Sequence, residues 1–204
     1  MSQPVTRNAR GRATALRIEQ AAVRLATERG LDGLTVDDIC LEVGVSQRTF
    51  FHHFPTKEDA LLGLELPRID QQRAREYLTD TTVPVLAGAL RLIELPPAHL
   101  DTPDLLAQQL RLLASSPALQ ARQGQRFAPL MAEINELVAL RLRSAAPDED
   151  PARVALQAAA VTAVGAALVN HTAAAALAGA ADDAPPFDLE RTLDLVRPVW
   201  GHLL

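Results

Sequence analysis

One stretch of the chain carries residues whose types and spacing could do chemistry. Ile39, a small Cys40, Val43, Gly44, Val45 and then Phe50 follow one another in twelve positions. A small side chain at Cys40 lets a second short helix approach the first, and Gly44 takes the positive φ of a tight turn. Ile39, Val43, Val45 and Phe50 then fill the wedge between the two helices. This spacing describes a helix-turn-helix whose Gln47 to His53 segment is free to enter a major groove, or else an ordinary helical hairpin. Within it, adjacent His52 and His53 point about 100° apart on a helix and cannot chelate one metal well, so no metal is expected. Cys40 could be a redox-sensing thiol, but on the wedge and without a basic neighbour it reads as a core residue.

Charge agrees with an anionic partner only at one end. The net charge is -5, yet residues 1–29 carry six arginines (7, 10, 12, 17, 24 and 29) against Glu19 and Glu28, a local +4. Residues 61–204 carry 12 basic against 17 acidic residues, a local -5. Location matters more than the sum, and the front of the chain is either an anion-binding surface or a solvated arm. Of the 20 basic residues 19 are arginine, leaving Lys57 as the sole lysine. An enzyme would need a nucleophile, base and orienter or a metal, and the chain has no Gly-rich phosphate loop, HExxH, CxxC or GxSxG. No catalytic residue and no cofactor is therefore expected, and a single cysteine excludes an intrachain disulfide.

The elements that must position these residues are helices throughout. Ile18, Ala21, Ala22, Leu25 and Ala26 share one helical face that stops at Gly30. Thr35 to Asp38 and Thr56 to Asp59 match the Thr-x-x-acid cap. Thr102-Pro103, Ser116-Pro117 and Asp150-Pro151 each set a cap residue before a first-turn proline. The spacing predicts an all-α chain of about nine helices, near 10–29, 36–43, 47–53, 57–79, 83–94, 103–115, 117–144, 151–180 and 188–203. Pro67 should kink the fourth and Pro198 the last. Strand signals are almost absent. The charged N-terminus lacks an apolar signal region, so a cytoplasmic location is expected. Residues 154–181 are uncharged, but 14 of the 28 are alanine and polar residues interrupt them, which predicts a buried soluble helix and no membrane partner.

The segment from Gly30 to Leu62, and above all Val45-Ser46 through Lys57-Glu58, closely resembles the DNA-binding domain of the tetracycline-repressor (TetR) family. The resemblance covers about residues 10–63. It implies residues 1–63 as a helix-turn-helix DNA-binding domain of three helices and residues 64–204 as a helical ligand-binding and dimerisation domain. It further implies a homodimeric repressor, released from a palindromic operator on double-stranded DNA by a mostly apolar small molecule. An activator, an adaptor without small-molecule gating and, remotely, a small helical enzyme are the alternatives. The family's DNA contacts fall on Thr35, Gln47, Arg48, Thr49, Phe51, His52, His53 and Lys57. Physical chemistry suits them: Thr35 and Lys57 lie at helix N-termini, where free amides favour a phosphate. Gln47 suits adenine, and Arg48 suits guanine or a phosphate. The chain departs from the family at Phe51, where a tyrosine is usual, and at Ala26, where a bulky aromatic is usual.

Beyond residue 63 periodicity supplies the argument. Leu86, Leu90 and Ile93, then Leu106, Leu110 and Leu113, then Phe127, Met131, Ile134 and Val138 make apolar stripes that fill a core or line a cavity. Asn170, His171 and Thr172 interrupt an alanine-rich helix and, if buried, need partners from protein or ligand. His99, Phe127, Met131, Asn170 and His171 are the candidate ligand contacts. Leu189, Leu193, Val196, Trp200 and Leu203 step by 4, 3, 4, 3, the seam of a packing helix. With the small Ala159, Ala163 and Ala166 they form either a dimer interface, with a second copy as partner, or part of the monomer's own core.

Overall fold

The computed structural model describes residues 4–94, 96 and 102–178, and the side chains of residues 9–94, 96 and 102–170. The helices are α1 (Pro4–Arg29), α2 (Val36–Val43), α3 (Gln47–His53), α4 (Lys57–Leu62), α5 (Gln71–Thr79), α6 (Val85–Arg91), α7 (Pro103–Ser115), α8 (Pro117–Ala145) and α9 (Pro151–Ala178). Two short strands, β1 (Arg68–Ile69) and β2 (Ile93–Glu94), complete the described elements. The fold is all-α. It divides into two compact units, one of residues 1–66 with 101–125 and the other of residues 67–100 with 126–204.

All five capping signals begin helices. At α2 the Thr35 hydroxyl accepts from the Asp38 amide while the Asp38 carboxylate takes the Thr35 amide, a reciprocal capping box. Hydrogen bonds donated to it by the Thr35 hydroxyl and then the Thr35 amide hold the Asp38 carboxyl below the usual carboxylate range. Gly44 ends α2 at φ 73°, where a side chain would be strained, so the turn falls where the sequence puts it.

The predicted 57–79 helix is instead two helices separated by a strand. Gly63 ends α4 at φ 84°, and Pro67 then cannot donate to a helical ladder. Asp70 opens α5 by accepting from the amides of Gln72 and Arg73, at 2.8 and 3.0 Å. Between them β1 pairs antiparallel with β2, Arg68 opposite Glu94 and Ile69 opposite Ile93. The Arg68–Glu94 ion pair at 2.8 Å closes the same rung. β2 likewise shortens the predicted 83–94 helix. α8 runs through Pro129, which cannot donate to a carbonyl one turn earlier. The predicted 188–203 helix lies outside the described residues.

In the N-terminal unit Ile18, Ala22, Leu25, Leu34, Ile39, Phe50, Phe54, Leu61 and Leu119 make one core, with Leu105, Leu112 and Leu113 of α7 packed against it. Ala26 is buried there too. In the other unit Tyr77, Ala89, Leu92, Ile134, Val138 and Ala158 form a second core. Beside it the guanidinium of Arg141, only 5% exposed, lies 4.4 Å from the centre of the Tyr77 ring. It also donates to the Val83 carbonyl.

α9 is not the buried helix predicted. Val154, Ala158, Thr162 and Gly165 form its covered face. Leu156 (73% exposed), Ala159, Ala160, Ala163 and Ala167 face outward. Alanine is small enough to leave such a face smooth, and nothing polar interrupts those five positions. By length and composition Pro151–Asn170 could also cross a membrane.

A Cβ at Gly88 would lie 2.7 Å from the Tyr77 ring and 3.0 Å from the Arg141 guanidinium, whereas one at Gly124 would meet nothing within 4 Å. Gly88→Ala should therefore destabilise the protein by about 1–3 kcal/mol through overpacking. Gly124→Ala, in the exposed part of α8, should stabilise it by about 0.5–1 kcal/mol. Urea unfolding of the two variants checks the opposite signs.

Candidate nucleic-acid interface

α3 is held by one face and open on the other. Its anchor is Phe50, fully buried and packed edge-on against Phe51 at 5.3 Å and tilted against Phe54 at 5.9 Å. Its start is set by Ser46, whose hydroxyl accepts from the Thr49 amide at 3.1 Å and lies 2.9 Å from the Thr49 hydroxyl. With Phe50 inward, Gln47, Arg48, Phe51 and His52 are exposed and Thr49 and His53 are half-buried. A helix fixed at its cap and core face, with amide, guanidinium and imidazole groups outward, can offer donors and acceptors to the edges of base pairs.

The neighbours of these side chains set what each can do. The Gln47 amide donates to the Asp37 carboxylate of α2, which holds it across the turn. Thr35 is exposed at the α2 N-terminus, but its hydroxyl is engaged with Asp38. Phe51, 51% exposed, is an apolar surface where a hydroxyl would otherwise reach out. The His52 and His53 rings stand edge to face with centres 5.2 Å apart. Burial, then the neighbouring His52, lower the His53 pKa from its ordinary 6.5. Burial and then Asp37 push the Cys40 thiol up, so this side chain is a packed core group and not a thiolate.

Lys57 sits at the first position of α4 and its ammonium donates to the carbonyls of Leu31 and Leu34, at 3.1 and 2.9 Å. The lysine therefore braces the loop between α1 and α2. Two of its three N–H groups are committed, and one is left for an anion. Sequence reasoning missed this brace because its partners lie 26 and 23 residues away. It also missed Arg122 of α8, which grips the buried Asp59 carboxylate of α4 through two parallel bonds of 3.0 and 2.7 Å. No local pattern could have announced that pair.

Residues 18–63 match the sequence profile described as "Bacterial regulatory proteins, tetR family". The chain carries a tetR-family DNA-binding domain. The tetR-family match spans the whole of α2, α3 and α4, so every side chain of the open α3 face lies inside it. No curated protein matches the chain. Among solved structures, one titled "Crystal structure of gamma-butyrolactone receptor (ArpA-like protein)" is 21% identical. It covers 80% of this chain and 88% of its own, with a TM-score of 0.32.

Three of the five candidate ligand contacts have described side chains. Phe127 and Met131 are half-buried on α8, and Asn170 is exposed on α9, where water can satisfy it. The side chain of His171 and all of His99 lie outside the described residues, as do Leu189, Leu193, Val196 and Trp200 of the proposed dimer seam. Ala159 and Ala163 are exposed on α9 and Ala166 is half-buried. A surface cleft of 470 Å³ in the second unit is lined by Ile69 and by the polar Arg68, Asp70, Gln71, Gln72, Glu94 and Glu133, residues that the apolar stripes did not anticipate.

Lys57→Met should remove both bonds to the loop carbonyls and lower stability by about 1–3 kcal/mol in urea unfolding. It should also weaken DNA binding by the folded protein. An unchanged urea midpoint would mean that water replaces the brace without loss. His53 gives a pH signature. Its folded pKa lies below 6.5, so the unfolded chain takes up the proton first. Stability is then lost as pH falls from 6.5 toward the depressed value, and the loss levels off below it. Melting curves between roughly pH 7.5 and 5 should show this slope in the wild type and not in His53→Gln.

Proposed function

We propose that this tetR-family DNA-binding regulator is a homodimeric repressor that leaves a palindromic operator when a mostly apolar small molecule binds. The observation that carries the DNA-binding part is the α3 surface, where Gln47 and Arg48 stand exposed at the start of a helix anchored by Phe50. On this reading Gln47 and Arg48 address base edges. Thr49, Phe51, His52 and His53 flank them, and Thr35 and the remaining N–H of Lys57 meet phosphates. Residues 1–63 are assigned to DNA and residues 64–204 to effector binding and dimerisation. Its working place is the cytoplasm, beside the DNA it regulates.

The exposed stripe of Leu156, Ala159, Ala160 and Ala163 on α9 supports the dimer, because a smooth apolar helix face allows a second helix to approach closely. Leu189, Leu193, Val196 and Trp200 would complete the seam. The effector is assigned to the stripes that include Phe127 and Met131, with His99, Asn170 or His171 as polar anchors. Its binding must favour a dimer whose two α3 helices no longer match the groove spacing, since a ligand with equal affinity for both states shifts nothing.

Selection from random duplexes should enrich a palindrome whose half-sites lie about 34–36 Å apart or a multiple of that distance. Gln47→Ala should relax preference at one position per half-site. Leu156→Glu should yield monomers in sedimentation and lower operator affinity with them. No enriched palindrome would favour an adaptor without sequence-specific binding. A bound operator that an effector tightens would favour an activator.

A further inference from the structure

The arginines of the N-terminal region divide into two sets. Arg17 donates to the Val43 carbonyl at 2.6 Å. Arg24 pairs with Glu28 and Glu42, and Arg29 with Asp38. These three hold α1 against α2. Arg10 and Arg12 are exposed and make no ion pair among the described residues. The first 18 residues contain Arg7, Arg10, Arg12 and Arg17 and no acidic residue.

Position gives these unpaired cations a direction. α1 starts at Pro4, well before the tetR-family match begins at residue 18. This early part passes the last turn of α3 so closely that a Cβ at Gly11 would lie 3.9 Å from the His53 ring. Arg10 and Arg12 flank that glycine. A helix lying in a major groove has phosphate strands on both sides, and the end of α3 that carries His53 is therefore near one of them.

We propose that Arg10 and Arg12 form a second DNA contact, gripping backbone phosphates beside the groove that α3 enters and making DNA affinity independent of sequence over that stretch. The inference rests on the DNA-binding reading above and adds to it a phosphate clamp outside the family-matched segment. Guanidinium groups suit the role, because their planar fork can bond two phosphate oxygens and stays charged at any working pH. Neither side chain makes a hydrogen bond or ion pair among the described residues, so their transfer to phosphate breaks no pair there.

The test is a salt series on the full chain with two probes, the duplex enriched by selection and a mixed-sequence duplex of equal length. Each phosphate contact adds about 0.9 to the slope of log affinity against log salt. Arg10→Ala/Arg12→Ala should therefore flatten the slope by about 1.8 per protomer, on both duplexes alike. Arg10→Lys/Arg12→Lys should keep the wild-type slope. Because both residues are exposed, the melting temperature should stay at the wild-type value. A double alanine variant with the wild-type slope overturns the clamp while leaving the regulator reading intact. A wild type that binds neither duplex overturns both.

Discussion

The Asp59 carboxylate is nearly out of water, with 7% of its side chain exposed, and a charge so placed is tolerated only where donors surround it. Here they do. Arg122 supplies two parallel N–H bonds, and the Thr56 hydroxyl a third at 2.9 Å. The same Thr56 hydroxyl accepts from the Asp59 amide, so the cap of α4 and the ion pair are one construction. Removing Arg122 takes away the countercharge of a buried carboxylate, and removing the Thr56 hydroxyl uncaps the helix. α4 in turn carries Lys57, whose amine ties down the loop ahead of α2. Through that chain of bonds the placement of the helix-turn-helix depends on a guanidinium 63 residues downstream.

A recognition helix is useful only if its base-facing side chains start from a defined position, since flexibility there costs affinity each time it binds. α3 meets this with short-range devices: the Ser46 cap, the Gly44 turn and the Phe50 anchor. Gln47 is held on Asp37, so on the proposed reading its amide would have to exchange a carboxylate for a base. The α3 surface is therefore pre-organised in backbone and only partly so in side chains. Phe51 narrows the options further, because an exposed ring can offer apolar contact but no hydroxyl hydrogen bond.

How much could be read in advance follows from the range of the interactions. α2 and α3 fall at the expected boundaries because their caps and the intervening glycine act within four residues. The 57–79 span failed where local and distant forces compete. Gly63 and Asp70 are recognisable stop and start signals, but the strand between them exists only because Ile93 and Glu94 pair with it from 24 and 26 residues away in sequence. The alanine-rich composition of α9 carried no information about which side would be covered, since alanine is nearly as acceptable in water as in a core. Arg141 reads in sequence as one more surface cation. Its burial over Tyr77 arises from the absence of a side chain at Gly88, which no helical period reveals. On the exposed face of α3 the residue types and their outward positions were legible, and their existing partners were not.

Lys57 has a further consequence, for chemical reactivity. It is the only side-chain amine in a chain whose other 19 cations are guanidinium groups. Acyl donors and other amine-directed electrophiles, which guanidinium resists, therefore find one side-chain target, and it lies at the joint that secures the helix-turn-helix. An acyl group there would erase the charge and leave a single N–H where two now serve the Leu31 and Leu34 carbonyls. The arginine-rich composition thus makes most of the electrostatic surface inert to acylation and concentrates the remaining sensitivity at one structural joint.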